Sequence, residues 1–139
     1  MSSKSCSPTR PSRHALVSTT VTNNAGSTTL DTLGTSASLR NSIVADQVSG
    51  AGCGVAVTSL GYNLAGDATC SLAGTGDVQN ATALLGPLAN NGGWSPTHLP
   101  GAASLVVNTG LPVPACTGTD QRFWNRPNGS ACEKGSVER

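Results

Sequence analysis

Apolar and polar positions in the first half of the chain form a short-strand pattern that comes round again. Residues 39–47 read LRNSIVADQ, and residues 16–24, LVSTTVTNN, carry the same order of positions twenty-three places earlier. At that offset Leu16 falls on Leu39, Thr19 on Ser42, Val21 on Val44, Asn23 on Asp46 and Asn24 on Gln47. Recurrence at roughly twenty to fifty residues marks architectures in which each turn of chain covers the apolar face of the one before. The pieces are short and β-branched, so residues 14–24, 27–33 and 38–45 read as strands, with NNAG at 23–26 and Gly34 as breaks. Further strands are expected over 60–64 and over 103–108 (ASLVVN), with a Gly-rich corner at 49–54 between the second and third turns.

The predicted fold is all-β: a right-handed parallel β-helix of about three coils, almost without helix, closed by an irregular disulfide-linked C-terminal end. Leu16, Val21, Leu39, Val44, Val55, Val57 and Leu60 are expected to point inward. Asn23 and Asp46 are expected at successive corners, where short polar side chains tolerate a left-handed backbone. Residues 1–13, with two prolines and no periodicity, read as a disordered leader; 14–76 as the coils; and 77–139, broken by Gly and Pro, as a capping region.

Composition agrees with strands and turns. Aromatics are limited to Tyr62, Trp94, Phe123 and Trp124, and Gly, Ser, Thr, Asn and Ala dominate, which argues against a helical bundle. Eight basic and seven acidic side chains give a formal charge of +1 with no cluster of one sign, which removes the electrostatic case for nucleic acid or an anionic membrane. No apolar run approaches the roughly 18 residues needed to span a bilayer, and the first fifteen residues hold no signal-peptide core. The cysteines point to export: Cys53/Cys70 and Cys116/Cys132 each enclose a short Gly-rich or polar loop, as local disulfides of exported proteins do, leaving Cys6 unpaired. The missing signal core and the cysteines conflict, and the simple resolution is a C-terminal fragment of a longer exported protein, its first coil an open edge prone to self-association, with a start within the gene and a cytosolic protein as the alternatives.

Several segments in order carry a resemblance: LRNSIVADQ at 39–47, CG and VTSLGYNL within 53–64, GTGDVQNATALLGPLANNGG and PTH within 74–98, and a C…TDQR…RP…G…AC series over 116–132. This series resembles the C-terminal region of the choice-of-anchor Q family, bacterial surface or secreted proteins with a pectate-lyase-like right-handed parallel β-helix. It departs at Phe123, where the family pattern has Gly after DQR, and at 104–110 and 133–138, where SPAIDAG-like and DIGAYE-like stretches are replaced. The resemblance implies a cell-surface or secreted location and a non-enzymatic structural or adhesive role, and brings no catalytic residues.

The residues bring none either. No GxSxG elbow, Ser/His/Asp order or facing carboxylate pair is recognisable, and His14 and His98 have no partners at zinc-ligand spacing. A lyase would combine acidic calcium ligands with a base, yet Arg40 is the one basic residue in the coil strands. Asp67 and Asp77 lie in Gly-rich loops where calcium could bind, but neither the EF-hand nor the nonapeptide pattern is present, so no cofactor is expected. The ligand candidates are Arg122, whose guanidinium could take an anion or sugar carboxylate, and Trp94 and Trp124 as sugar-stacking platforms. The competing structural reading has Asp120 and Arg122 tie the tail to the coils and the tryptophans cap the core. Polysaccharide binding or lyase-like action is the alternative function.

Overall fold

The computed structural model describes residues 13–31, 36–55 and 57–139. Among them there is no helix, and ten short strands run in the order β1 (Arg13–Val17), β2 (Thr20–Val21), β3 (Thr28–Leu30), β4 (Ser36–Arg40), β5 (Ile43–Val44), β6 (Ala51–Cys53), β7 (Thr58–Ser59), β8 (Leu64–Ala65), β9 (Leu85–Ala89) and β10 (Thr97–Pro100). The first eight make three parallel sheets, β1-β4-β7, β2-β5-β8 and β3-β6, so three successive layers of chain lie in register. Leu16 pairs with Leu39, Thr20 with Ile43 and Val21 with Val44, as the sequence alignment requires. β9 and β10 form a separate antiparallel hairpin that the sequence pattern did not announce.

The corners repeat from layer to layer. Ser18, Asn41 and Tyr62 all have φ between 48° and 61°, and each precedes a strand of the β2-β5-β8 sheet. Asn23 and Asp46 follow with φ 56° and 55°, the Asn23 N–H donating to the Asp46 carbonyl at 3.2 Å, so both lie at successive corners as expected. At each bend the backbone leaves the strand ladder, and side chains of the following layer catch the freed N–H groups. Thr19 N donates to Ser42 Oγ (3.2 Å), Ser42 N to Asn63 Oδ1 (2.9 Å), and Asn63 N to Asp77 Oδ1 (2.8 Å). Asn24 N donates to Gln47 Oε1 and Gly26 N to Ser49 Oγ, while Gly52 N and Cys53 N are taken by Asp67 and Thr69. A buried, unpaired amide is costly, so these acceptors select the polar residue types at the corners.

Between the sheets, Leu39, Val44, Val57, Ala65, Leu72 and the Cys53–Cys70 bridge form one core, with Leu16, Val21 and Leu30 packed half-buried at its margin. Ile43 and Ala45 point the other way, into a second core with Leu64, Ala83 and Val106. Both faces of β5 are therefore covered, the outer one by the C-terminal half of the chain.

Three expectations are corrected. Leu60 is 54% exposed, because Ser59 is the residue in register with Leu39 and a slip of one position turns a side chain to the opposite face; Val55 is exposed as well. Residues 103–108 are turns and not a strand: Ser104 N donates to Gly101 O and Val107 N to Ser104 O, with Ser104 and Val106 buried. Leu33 and Gly34 lie outside the described residues, as do Cys6 and most of the expected leader, while Arg13 belongs to β1. The C-terminal tail reaches the first layer, where Ser136 N donates to Thr20 Oγ1 at 3.0 Å.

Asn41 joins the layers to this flank. Fully buried, it donates through Nδ2 to Ser18 Oγ (3.1 Å) and Glu133 O (3.0 Å), accepts at Oδ1 from Leu111 N (3.0 Å), and accepts at its carbonyl from Gly135 N (2.7 Å). Gly110 must lack a side chain, since a Cβ there would lie 2.2 Å from Asn41 Oδ1. Asn41→Ala leaves the buried Leu111 N–H donor and the Glu133 O and Ser18 Oγ acceptors without these partners and places alanine at φ 51°, so a loss of about 3 kcal/mol or more is expected in urea unfolding. A loss under about 1 kcal/mol would show that the junction is not structural.

Candidate functional site

The three sequence-derived ligand candidates, Arg122, Trp94 and Trp124, come together at one place: the tip of the β9–β10 hairpin and the loop 120–124 that packs on it. Asp120 shapes that loop. Its Oδ1 accepts from Arg122 N (2.7 Å) and Trp124 N (3.1 Å), and its carbonyl accepts from Phe123 N (3.0 Å), closing a tight turn of the kind Asp side chains favour. Phe123 is left at φ 68°.

Arg122 points inward. Its Nε and NH2 donate to Asp120 Oδ2 at 2.9 and 2.8 Å, NH2 also reaches the Glu138 carbonyl, and NH1 donates to Asn91 O at 3.0 Å on the hairpin. The guanidinium is buried with its carbon 3.8 Å from the centroid of the Trp124 ring. It is thus a positioning residue for the tip, and its donors are spent within the protein. Gly92 and Gly93, at φ 87° and 85°, permit the approach: a Cβ on Gly93 would meet Arg122 Cα at 2.8 Å, and one on Gly92 would meet Trp124 Cζ2 at 3.1 Å.

The tryptophans do not cap the core. Trp94 is 94% exposed and Trp124 47%, and Phe123, which was not among the sequence-derived candidates, is 68% exposed with its ring 6.0 Å from that of Trp94. The signal that could have found Phe123 was its position after DQR, where a left-handed backbone would ordinarily call for glycine.

Below the tip lies a buried set of charges. Arg126 NH1 is 3.2 Å from Glu138 Oε1 and its NH2 donates to Gly135 O at 2.8 Å. The contact of NH1 with Glu138 is close enough for an ion pair but too poorly aligned for a hydrogen bond. Glu138 Oε1 and Oε2 accept from Glu133 N and Asn128 N, both at 3.1 Å. Lys134 Nζ donates to Gly76 O (2.6 Å) and Thr109 O (2.8 Å).

Burial opposes ionisation of Asp120, but hydrogen bonds from the Arg122 side chain and the Glu138, Trp124 and Arg122 backbone outweigh it and hold its pKa below the usual carboxylate range. Glu133 goes the other way. Burial, then the hydrogen bond and charge of Glu138, raise it to about 8. Burial lowers Lys134 to about 8, partly opposed by Asp77.

Asp67 and Asp77 serve the backbone. Asp67 accepts from Gly52 N, Thr69 N and Thr69 Oγ1, and Asp77 from Asn63 N, Gly74 N and Ser59 Oγ. Among the described residues no three His, Cys, Asp or Glu side chains converge. The disulfides pair Cys53 with Cys70 and Cys116 with Cys132, at Cα separations of 4.9 and 5.8 Å. No helix among the described residues is long and apolar enough to cross a membrane. No protein-family model, curated protein or solved structure matches the chain.

The buried charges set a pH dependence. Glu133 titrates near 4.5 when unfolded and about 8 when folded, so folding takes up a proton in that window and stability falls as pH rises through it. Lys134, at about 8 folded against 10.5, contributes the opposite slope above pH 8. Glu133→Gln, which keeps a neutral donor beside Glu138, should remove the first slope, worth at most about 1.4 kcal/mol per pH unit. Unfolding curves of variant and parent that run parallel from pH 5 to 8 would contradict the assignment.

Proposed function

We propose that this chain is a non-enzymatic extracellular or cell-surface module, a short right-handed parallel β-helix whose role is structural or adhesive, of the kind that resemblance to the choice-of-anchor Q family implies. The observation that carries this reading is the registered stacking of three parallel layers in chain order, with corner side chains of one layer satisfying the backbone of the layer before. Two disulfides support an oxidising location. The non-enzymatic part is supported by how the ionisable groups are spent: Asp67, Asp77, Asp120, Arg122 and Glu138 all bond inward to backbone or to one another. A polysaccharide-binding role is the second reading, favoured by the outward aromatic side chains at the tip.

β1 is an edge strand among the described residues, paired only with β4. Self-association through it is part of the proposal, since an edge offers unpaired backbone groups to a second chain.

Location is tested on intact cells that make the protein. Externally added protease should release peptides containing Trp94, and alkylation before reduction should leave Cys53, Cys70, Cys116 and Cys132 unlabelled. Peptides released only after lysis, with those four thiols free, would overturn the extracellular reading. Each bridge closes a loop of 16 or 17 residues in sequence separation, so Cys53→Ser/Cys70→Ser should lose about 3 kcal/mol in denaturant unfolding.

A further inference from the structure

Three of the chain's four aromatic side chains are gathered at one tip and turned outward. Trp124 packs one side on the Arg122 guanidinium, but packing does not account for Trp94 and Phe123. Trp94 is almost wholly exposed, and Phe123 occupies φ 68°, a region that glycine enters freely and a bulky residue rarely does, while burying little of its ring. Such a conformation persists only where its surroundings impose it, here the turn closed by Asp120, and it concentrates at functional positions.

The chemistry of the tip limits what can bind. Residues 90–96 and 121–125 contain one charged side chain, Arg122, and it is paired with Asp120 beneath Trp124. Solvent meets aromatic rings bordered by the amides and hydroxyl of Asn90, Ser95, Gln121 and Asn125, all exposed. A membrane surface would call for basic residues beside the rings, and an anionic glycan for a free guanidinium or ammonium. A neutral glycan fits both parts, its C–H faces lying on the rings and its hydroxyls on the amides.

We propose that Trp94, Phe123 and Trp124 form a platform that binds a neutral polysaccharide, stacking sugar rings while the bordering polar groups hydrogen-bond the sugar hydroxyls. The inference rests on the adhesive reading above only for its biological setting; the binding itself is a property of the folded protein. The platform is held rigid: Arg122 fastens loop 120–124 to Asn91 of the hairpin, and Gln121 Nε2 donates to Ser95 Oγ at 3.3 Å across the two tips. Little conformational freedom is then lost on binding.

Native gel retardation in laminarin, galactomannan and xyloglucan, with polygalacturonate as the anionic comparison, tests the proposal. At least one neutral polymer should retard the parent protein and polygalacturonate should not. Trp94→Ala should weaken binding roughly tenfold, the equivalent of about 1.4 kcal/mol. Phe123→Gly should also weaken it without lowering the melting temperature, because glycine relieves the left-handed backbone. Retardation by none of the neutral polymers, by polygalacturonate alone, or equally for parent and both variants would overturn the platform. So would light scattering that shows a dimer abolished by Trp94→Ala, since a second copy would then be the occupant. Failure of this kind leaves the scaffold reading to the cell-surface proteolysis experiment, which does not depend on glycan binding.

Discussion

A bend in a stack of parallel strands takes backbone N–H groups out of the ladder, and those that the next layer covers must find an acceptor. Some bond a backbone carbonyl, as Asn23 N does that of Asp46, and the others here bond a side chain one layer on. The series Thr19, Ser42, Asn63 and Asp77 runs through the stack as a continuous chain of donors and acceptors, and Gln47, Ser49, Asp67 and Thr69 do the same at the other bends. This requirement explains a composition poor in aromatics and rich in Ser, Thr, Asn and Gly. It also makes each layer incomplete without its successor, so the layers are expected to unfold together.

The same requirement ties the irregular C-terminal half to the stack. Asn41 serves one corner and the flank at once, through Leu111, Glu133 and Gly135. The outer face of β5 would otherwise expose Ile43 and Ala45, and residues around Ala83 and Val106 cover it. Beneath the tip, opposite charges are paired and Glu133 holds a proton, which limits the desolvation penalty of so many ionisable groups in one place. The tip above them inverts the usual order of a domain, with charge inside and aromatic rings outside.

What the sequence made legible was local or periodic. The alignment of residues 16–24 on 39–47 found the register of the first two layers and the left-handed corners at Asn23 and Asp46, though not those at Ser18 and Asn41, because side-chain type at a bend is dictated by the backbone. Cysteine spacing found both bridges. Beyond the second layer the step shortens, from 23 residues between Thr19 and Ser42 to 21 between Ser42 and Asn63, and Val55 and Leu60 were misplaced. The apolar run at 103–108 was read as a strand because periodicity cannot register the turn that Ser104 makes. At the site, composition singled out Arg122, Trp94 and Trp124, yet which of them faces water depends on Asp120 and Asn91, contacts that no local pattern encodes.

The central claim is that the stacked layers and the C-terminal flank form one cooperative structure joined at Asn41. Native-state amide hydrogen exchange measures this directly. The Ser42, Asn63, Leu111 and Gly135 amides, each bonded at a corner or at the junction, should exchange only through the same global opening as Ile43 and Leu64, with matching free energies and denaturant dependence. Leu111 and Gly135 exchanging through a separate, lower-energy opening while Ile43 stays protected would contradict it, showing the flank to be a detachable layer on an independently stable stack.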